Sequence, residues 1–141
     1  MKVLFLCVAN SARSQMAEAL ARHIFSDIEV QSAGSDPTFL HPKAKQVLEE
    51  IDVDTAGLYS KSLEQIPESF LDSLDAVITL CQEEVCPVGV RSKTKLHWPL
   101  ADPAATNTLD SFRIVRDQLN ELLLIRELAL LTQKPPPTSI A

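Results

Sequence analysis

The residues best placed to do chemistry lie near the N-terminus. An apolar run ends in Cys7, followed by Val8-Ala9-Asn10-Ser11-Ala12-Arg13-Ser14 and then Gln15-Met16-Ala17-Glu18-Ala19. A thiol at the end of a strand, a short loop and an Arg-Ser pair at the head of a helix together make a cradle for an anion. Free backbone N–H groups of such a loop, and the positive end of the helix, point at whatever sits between them. The same field favours a thiolate over a thiol, which makes Cys7 a nucleophile. Arg13 adds a planar, permanently charged fork suited to two oxygens of one ion. The spacing therefore predicts thiol chemistry on a tetrahedral, phosphate-like oxyanion. Cys-x5-Arg alone is a weak pattern, and a cysteine at a strand end is more often inert core. The strand before it and the helix after it give the pattern its weight.

The elements that must hold these residues follow from the periodicity. Residues 2–8 read as a short buried strand. From 12 to about 25, Met16, Ala17, Leu20 and Ile24 recur at three- and four-residue steps, the mark of a helix. Residues 28–32 alternate as a second strand, closed by Ala33-Gly34-Ser35-Asp36-Pro37. Pro42 suits the first turn of a helix reaching 51, with Ala44, Val47 and Leu48 on its apolar side. Residues 63–74 are expected to be helical, with Pro67 inside the span. Residues 75–80 form a third strand with Cys81 directly after it, 82–93 a loop, and 94–98 a short fourth strand. A long helix is expected from about Thr108, with Phe112, Val115, Leu119 and Leu122 on one face.

Strands alternating with helices predict an α/β fold, a parallel sheet with helices on both faces. The functional crevice of such sheets lies beyond the carboxyl ends of the strands. Cys7 and Cys81 both fall at such ends, so they can share one edge. Residues 1–133 are expected to form a single catalytic domain. Residues 134–141 contain three consecutive prolines and are expected to be a disordered tail.

Composition narrows the setting. A chain of 141 residues with 45% hydrophobic and 23% charged residues is large enough for one cored domain. Its net charge of −6 and lack of a basic stripe argue against nucleic acid or an anionic membrane as partner. No apolar run approaches the length that spans a bilayer. Lys2 and the run after it fall short of a secretory signal, because Asn10, Arg13 and Gln15 arrive before any cleavage site. Three cysteines without such a signal suit a reducing cytoplasm, where paired thiols are more often catalytic than structural. Cys81 and Cys86, joined by His97, supply only three candidate metal ligands, and His23 and His41 show no complementary spacing. No metal site is therefore expected, and the expected assembly is a monomer.

The segment from Cys7 to Ser14, with residues 15–19 behind it, resembles the anion loop of the low-molecular-weight protein tyrosine phosphatase superfamily. Within that superfamily, Thr79-Leu80-Cys81-x4-Cys86-Pro87 and His97-Trp98-Pro99-Leu100-Ala101-Asp102-Pro103-Ala104 resemble the thioredoxin-coupled arsenate reductases. Ser32-Ala33-Gly34 and His41-Pro42-Lys43-Ala44 match the intervening pattern, so the resemblance runs from residue 2 to about 123. It implies a four-stranded parallel sheet with flanking helices. It also implies an anion-binding loop of Val8, Ala9, Asn10, Ser11, Ala12, Arg13 and Ser14, with Cys7 as nucleophile and Arg13 as clamp. Ser14 would hydrogen-bond the Cys7 sulfur, Asn10 would order the loop, and Asp102 would be the general acid. Asn at position 10 also has a local reason, since the loop lacks glycine and Asn best tolerates a left-handed backbone.

The resemblance further implies an arsenate reductase with a three-cysteine relay. Cys7 attacks arsenate, Cys81 displaces arsenite and leaves a Cys7–Cys81 disulfide, and Cys86 takes that disulfide over. An external reductant then restores the thiols: thioredoxin, or alternatively glutaredoxin or a low-molecular-weight thiol. No tightly bound cofactor is implied beyond a potassium ion near Asn10, Glu18 and Ser32, where Glu64 stands at a position expected to be aspartate. Two other functions compete. A phosphatase acting on phosphotyrosine or another phosphomonoester needs only Cys7, Arg13 and Asp102. Ala104 and Ala105, however, follow Asp-Pro where phosphotyrosine enzymes of this superfamily usually carry tyrosines. A thiol redox sensor or anion-binding module would use the apolar-rich stretch 121–131, but it would not need the acid.

Overall fold

Strand β1 (Lys2–Cys7) is buried on both faces, and its side chains sort by the strand's period of two. Val3 and Phe5 enter one apolar cluster, Leu4 and Leu6 the other. A continuous apolar run of this kind belongs at the centre of a sheet covered twice. A computed structural model of the protein describes residues 1–82 and 90–125. In it, β1 lies between β2 (Glu29–Gly34) and β3 (Ala76–Thr79), with β4 (Thr94–His97) at the far edge. The order is β2-β1-β3-β4 and every pairing is parallel. Cys7 stands opposite Gly34, and Leu6 opposite both Ala33 and Thr79.

Helices α1 (Arg13–Ile24), α2 (Pro42–Glu49) and α5 (Leu109–Ile125) cover the Val3–Phe5 face. The Leu4–Leu6 face is closed by Ile66, Phe70 and Leu74, carried on a 3-10 turn (Leu63–Gln65), on α3 (Glu68–Leu71) and in the segments around them. Met16, Leu20, Leu48, Phe112 and Leu119 are each essentially inaccessible. Burying side chains of this size is worth about 1.5–3 kcal/mol apiece. The α/β class, the four parallel strands and the helices on both faces agree with the sequence expectation.

Four details differ from it, the first being that β2 runs on to Gly34 where the strand was expected to end at Ser32. The helix expected over 63–74 is two short pieces, because Pro67 adopts an extended ψ of 136° and starts α3 instead of continuing the turn. A four-residue helix, α4 (Pro103–Thr106), follows Asp102, with Pro at its first position and Asn107 closing it at a φ of 57°. On α5 the apolar face passes through Leu123, fully buried four residues after Leu119, while Leu122 is only half-buried. The expected tail 134–141, most of the expected loop 82–93 and Cys86 lie outside the described residues.

Candidate active site

Cys7 is the last residue of β1, and the chain leaves it at the point where the sheet order reverses, with β2 on one side and β3 on the other. Ligands of open α/β sheets bind at such a point. The loop from Val8 to Ala12 turns there without glycine, and Asn10 takes the left-handed conformation at φ 47°. The carbonyls of Val8, Ala9 and Ser11 accept from the backbone N–H groups of Asp36, Thr38 and His41 at 2.9, 3.1 and 3.0 Å. In a trans peptide the next N–H points the opposite way. The amides of Ala9, Asn10 and Ala12 are thereby turned to the other side of the loop, the arrangement an anion needs.

Side chains fix that shape. Asn10 Nδ2 donates to Ser14 Oγ at 2.7 Å and to Ser32 Oγ at 2.9 Å. Asn10 Oδ1 accepts from the Lys61 backbone N–H at 2.9 Å and from Gln15 Nε2 at 3.2 Å. Gly34 makes the close approach possible, since a Cβ there would run into Val8 O and stand 2.9 Å from Asn10 N. Gly34→Ala should therefore push the loop off its seat. Overpacking of this kind costs about 1–3 kcal/mol. The check is a lower urea midpoint together with slower iodoacetamide labelling of Cys7; a variant matching wild type in both would show that the loop yields freely.

Cys7 is a free thiol, 2% exposed, with its Sγ 2.9 Å from Ser14 Oγ. Arg13, the first residue of α1, is 5% exposed, and its Nη1 donates to the Leu100 carbonyl at 3.1 Å. Asp102 is exposed at the head of α4, where its side chain accepts from the Ala104 N–H at 3.0 Å. Cys7, Arg13 and Asp102 line one cavity of about 230 Å³, together with Ala9, Ser11, Ala12, Ala104, His41 and the rim residues Thr38 and Phe39. The Phe39 ring is 60% exposed. His41 Nδ1 accepts from the Lys43 N–H at 3.1 Å, which leaves its proton on Nε2. Burial and then the Lys43 charge push the His41 pKa below its usual value, against the opposing pull of Asp102 and Asn107. The cavity wall thus presents a neutral imidazole at pH 7.

Cys81 lies just beyond the carboxyl end of β3, buried, and in a disulfide. The Leu80 N–H donates to Leu6 O at 2.9 Å, which carries the β3–β1 pairing up to the residue before it. Cys81 therefore shares the sheet edge of Cys7, although it is not among the residues lining the 230 Å³ cavity. Gln82 opens onto a neighbouring groove of about 640 Å³, of which Asp102 forms a wall as well. Among the described residues, no cluster of three His, Cys, Asp or Glu side chains suits a metal ion.

One residue of this neighbourhood escaped the sequence. Lys61 is 1% exposed, and its Nζ lies 3.3 Å from Glu18 Oε1. Flanked by Ser60 and Ser62 in a polar stretch, it reads as a solvated loop lysine. The available signal was Glu18, a carboxylate in a helix whose residues 13–21 are all buried. A buried carboxylate requires a cation or several hydrogen bonds.

The profile of the family described as low molecular weight phosphotyrosine protein phosphatase matches residues 2–133. An arsenate reductase of Halalkalibacterium halodurans is 35% identical over 127 residues, covering 84% of this chain and 89% of that protein. A solved arsenate reductase in a phosphate-binding state is similar at a TM-score of 0.75 and 33% identity, covering 94% of this chain and 98% of its own. A thioredoxin-dependent arsenate reductase of Corynebacterium glutamicum is similar at a TM-score of 0.68 and 30% identity. That similarity covers 94% of this chain and 62% of the other. Among the described residues, no helix is long and apolar enough to cross a membrane.

Proposed function

This chain belongs to the low molecular weight phosphotyrosine protein phosphatase family, and we propose that within it the protein is an arsenate reductase. The observation that carries the reading is the meeting of Cys7, Arg13 and Asp102 in one cavity at the carboxyl end of β1, with Cys81 buried on the same sheet edge. The Cys7 thiolate attacks arsenic, and an oxygen leaves as water after protonation by Asp102. Arg13 and the inward amides hold the remaining oxygens and offset their charge. Cys81 then attacks the Cys7 sulfur. The new S–S bond forms as the S–As bond breaks, and that bond's electron pair stays on arsenic, which leaves as arsenite. The Cys86 thiolate attacks Cys81, frees Cys7 and completes a Cys81–Cys86 disulfide.

A free Cys7 and a disulfide-bonded Cys81 match the state that this last exchange leaves. The two electrons come from an external dithiol. Thioredoxin is the reductant we favour, in keeping with the similarity to a thioredoxin-dependent enzyme. Such a relay works in a reducing cytoplasm.

A second reading, hydrolysis of a phosphomonoester, draws on Phe39, an exposed ring on the cavity rim that can face an aryl group. One experiment separates the two. Reduced enzyme with thioredoxin, thioredoxin reductase and NADPH should convert arsenate to arsenite over many turnovers. Asp102→Asn should slow this by about 10²–10⁴-fold, the usual contribution of a positioned acid. Efficient release of an aryl alcohol from its phosphate, with no arsenite and no new disulfide, would assign the site to hydrolysis.

A further inference from the structure

Lys61 is among the largest fully buried side chains of the described residues, and the chemistry above does not use it. Burying an ammonium is costly unless it is paired and hydrogen-bonded. Its partner Glu18 is equally buried, and the Tyr59 ring centroid lies 4.7 Å from Nζ. The Lys61 backbone is engaged as well: its N–H donates to Asn10 Oδ1 at 2.9 Å, and its carbonyl accepts from the Gly34 N–H at 2.9 Å. From Glu18 an unbroken series of hydrogen bonds reaches the nucleophile. Ser32 Oγ donates to Glu18 Oε1 at 2.7 Å, and Asn10 Nδ2 donates to Ser32 Oγ at 2.9 Å and to Ser14 Oγ at 2.7 Å. Ser14 Oγ in turn stands 2.9 Å from Cys7 Sγ.

Asn10, Glu18 and Ser32 are the residues at which a potassium ion would be expected, and the geometry does not suit one. A potassium ion needs several free oxygens turned toward it. Asn10 Oδ1 already accepts from two N–H groups, and Glu18 Oε1 holds both the Ser32 hydroxyl and the Lys61 ammonium. Glu18 Oε2 is held by Arg22 at 2.6 Å, and Glu64 is exposed. A second unit charge beside the ammonium would be repelled.

We propose that the Lys61 ammonium is a built-in monovalent cation that stands in for potassium and, through Glu18, Ser32, Asn10 and Ser14, holds the anion loop and its thiol in position. Lys61 is a positioning residue and touches no reacting atom. The proposal holds whether the oxyanion is arsenate or phosphate, so a failed reductase assay leaves it standing.

The test uses reduced protein in buffers where potassium chloride replaces choline chloride. It reads the melting temperature and the pH profile of iodoacetamide labelling at the Cys7 peptide. In the wild type both should be indifferent to the cation. Lys61→Met keeps the volume but removes one positive charge and leaves Glu18 paired with the half-exposed Arg22 alone, and losing a nearby positive charge disfavours a thiolate. The labelling midpoint should move up by about one pH unit, a tenfold slower reaction at fixed pH. A purely structural role would leave that midpoint where it is. Lys61→Ala, which leaves room for an ion, should show the same shift in choline and lose it in potassium. Stabilisation of the wild type by potassium, an unmoved midpoint in Lys61→Met, or a Lys61→Ala shift that potassium does not reverse would each overturn the proposal. If Lys61→Ala does not fold, the other two arms decide; if neither variant folds, the wild-type comparison decides alone.

Discussion

Cys7→Ser should leave a folded protein that forms no arsenite at all. The substitution exchanges one small atom in a site that is already 2% exposed, so β1 and the cavity keep their shape. The loss has two independent causes. A serine hydroxyl stays protonated where a thiol can ionise, so the first attack fails. Oxygen also cannot hand a bonding pair to arsenic by forming a bond to Cys81, so the reduction lacks its electrons. Arg13→Lys should be nearly as severe, with a loss of about 10²–10³-fold, as for other removed oxyanion donors. A lysine supplies a point charge but cannot span two oxygens while another donor holds the Leu100 carbonyl at 3.1 Å. Arsenite formation under steady-state conditions, with thermal melts to confirm folding, gives the measurement. Turnover near wild type in either variant would remove the loop from the mechanism.

Cys81→Ser and Cys86→Ser should each end multiple-turnover reduction, at different stages. Without Cys81 the arsenic adduct on Cys7 meets no internal thiol, and no arsenite leaves. Without Cys86 one equivalent of arsenite forms, and the enzyme stops as a Cys7–Cys81 disulfide that an external dithiol reaches poorly. Cys7 is 2% exposed within its cavity, so an outside thiol has little access to that disulfide. Hydrolysis of an aryl phosphate, if the wild type performs it, needs neither residue and should persist in both variants. Mass mapping after one equivalent of arsenate should find Cys81–Cys86 in the wild type and Cys7–Cys81 in Cys86→Ser. Arsenite in more than one equivalent from Cys86→Ser would show that Cys86 is dispensable.

The sheet and the position of Cys7 at the end of a strand were legible because their signals are local. An apolar run bounded by Cys7, and a three-and-four periodicity from Met16 onward, each depend on a few adjacent residues, and the structure places β1 and α1 accordingly. Parallel order followed from the alternation of strands and helices. What stayed hidden depends on contacts across the chain. Lys61 meets Glu18 over 43 residues, and no periodicity marks a lysine that will be buried. The role of Gly34 appears only when β2 is laid beside Cys7 and a Cβ would strike the loop. α4 escaped because four residues are too few for a periodic pattern, although Asp102-Pro103 is a recognisable start. The break at Pro67 was visible, but not which side of it would coil.

Every strand pairing among the described residues is parallel, and the bond from Arg13 to the Leu100 carbonyl joins residues 87 apart in the chain. Such contacts cannot be made by a nascent hairpin. They require long stretches of chain to be closed first, which makes folding slow and strongly cooperative. The thiol and its clamp come from one stretch, residues 7–13, and the acid from another beyond β4; they meet only once β1, β3 and β4 are aligned. An unfinished or partly opened chain therefore carries cysteines without the loop that sets one of them apart. The cradle around the Cys7 sulfur is complete only when those strands have paired, so a partly folded chain presents that thiol without Asp102 beside it.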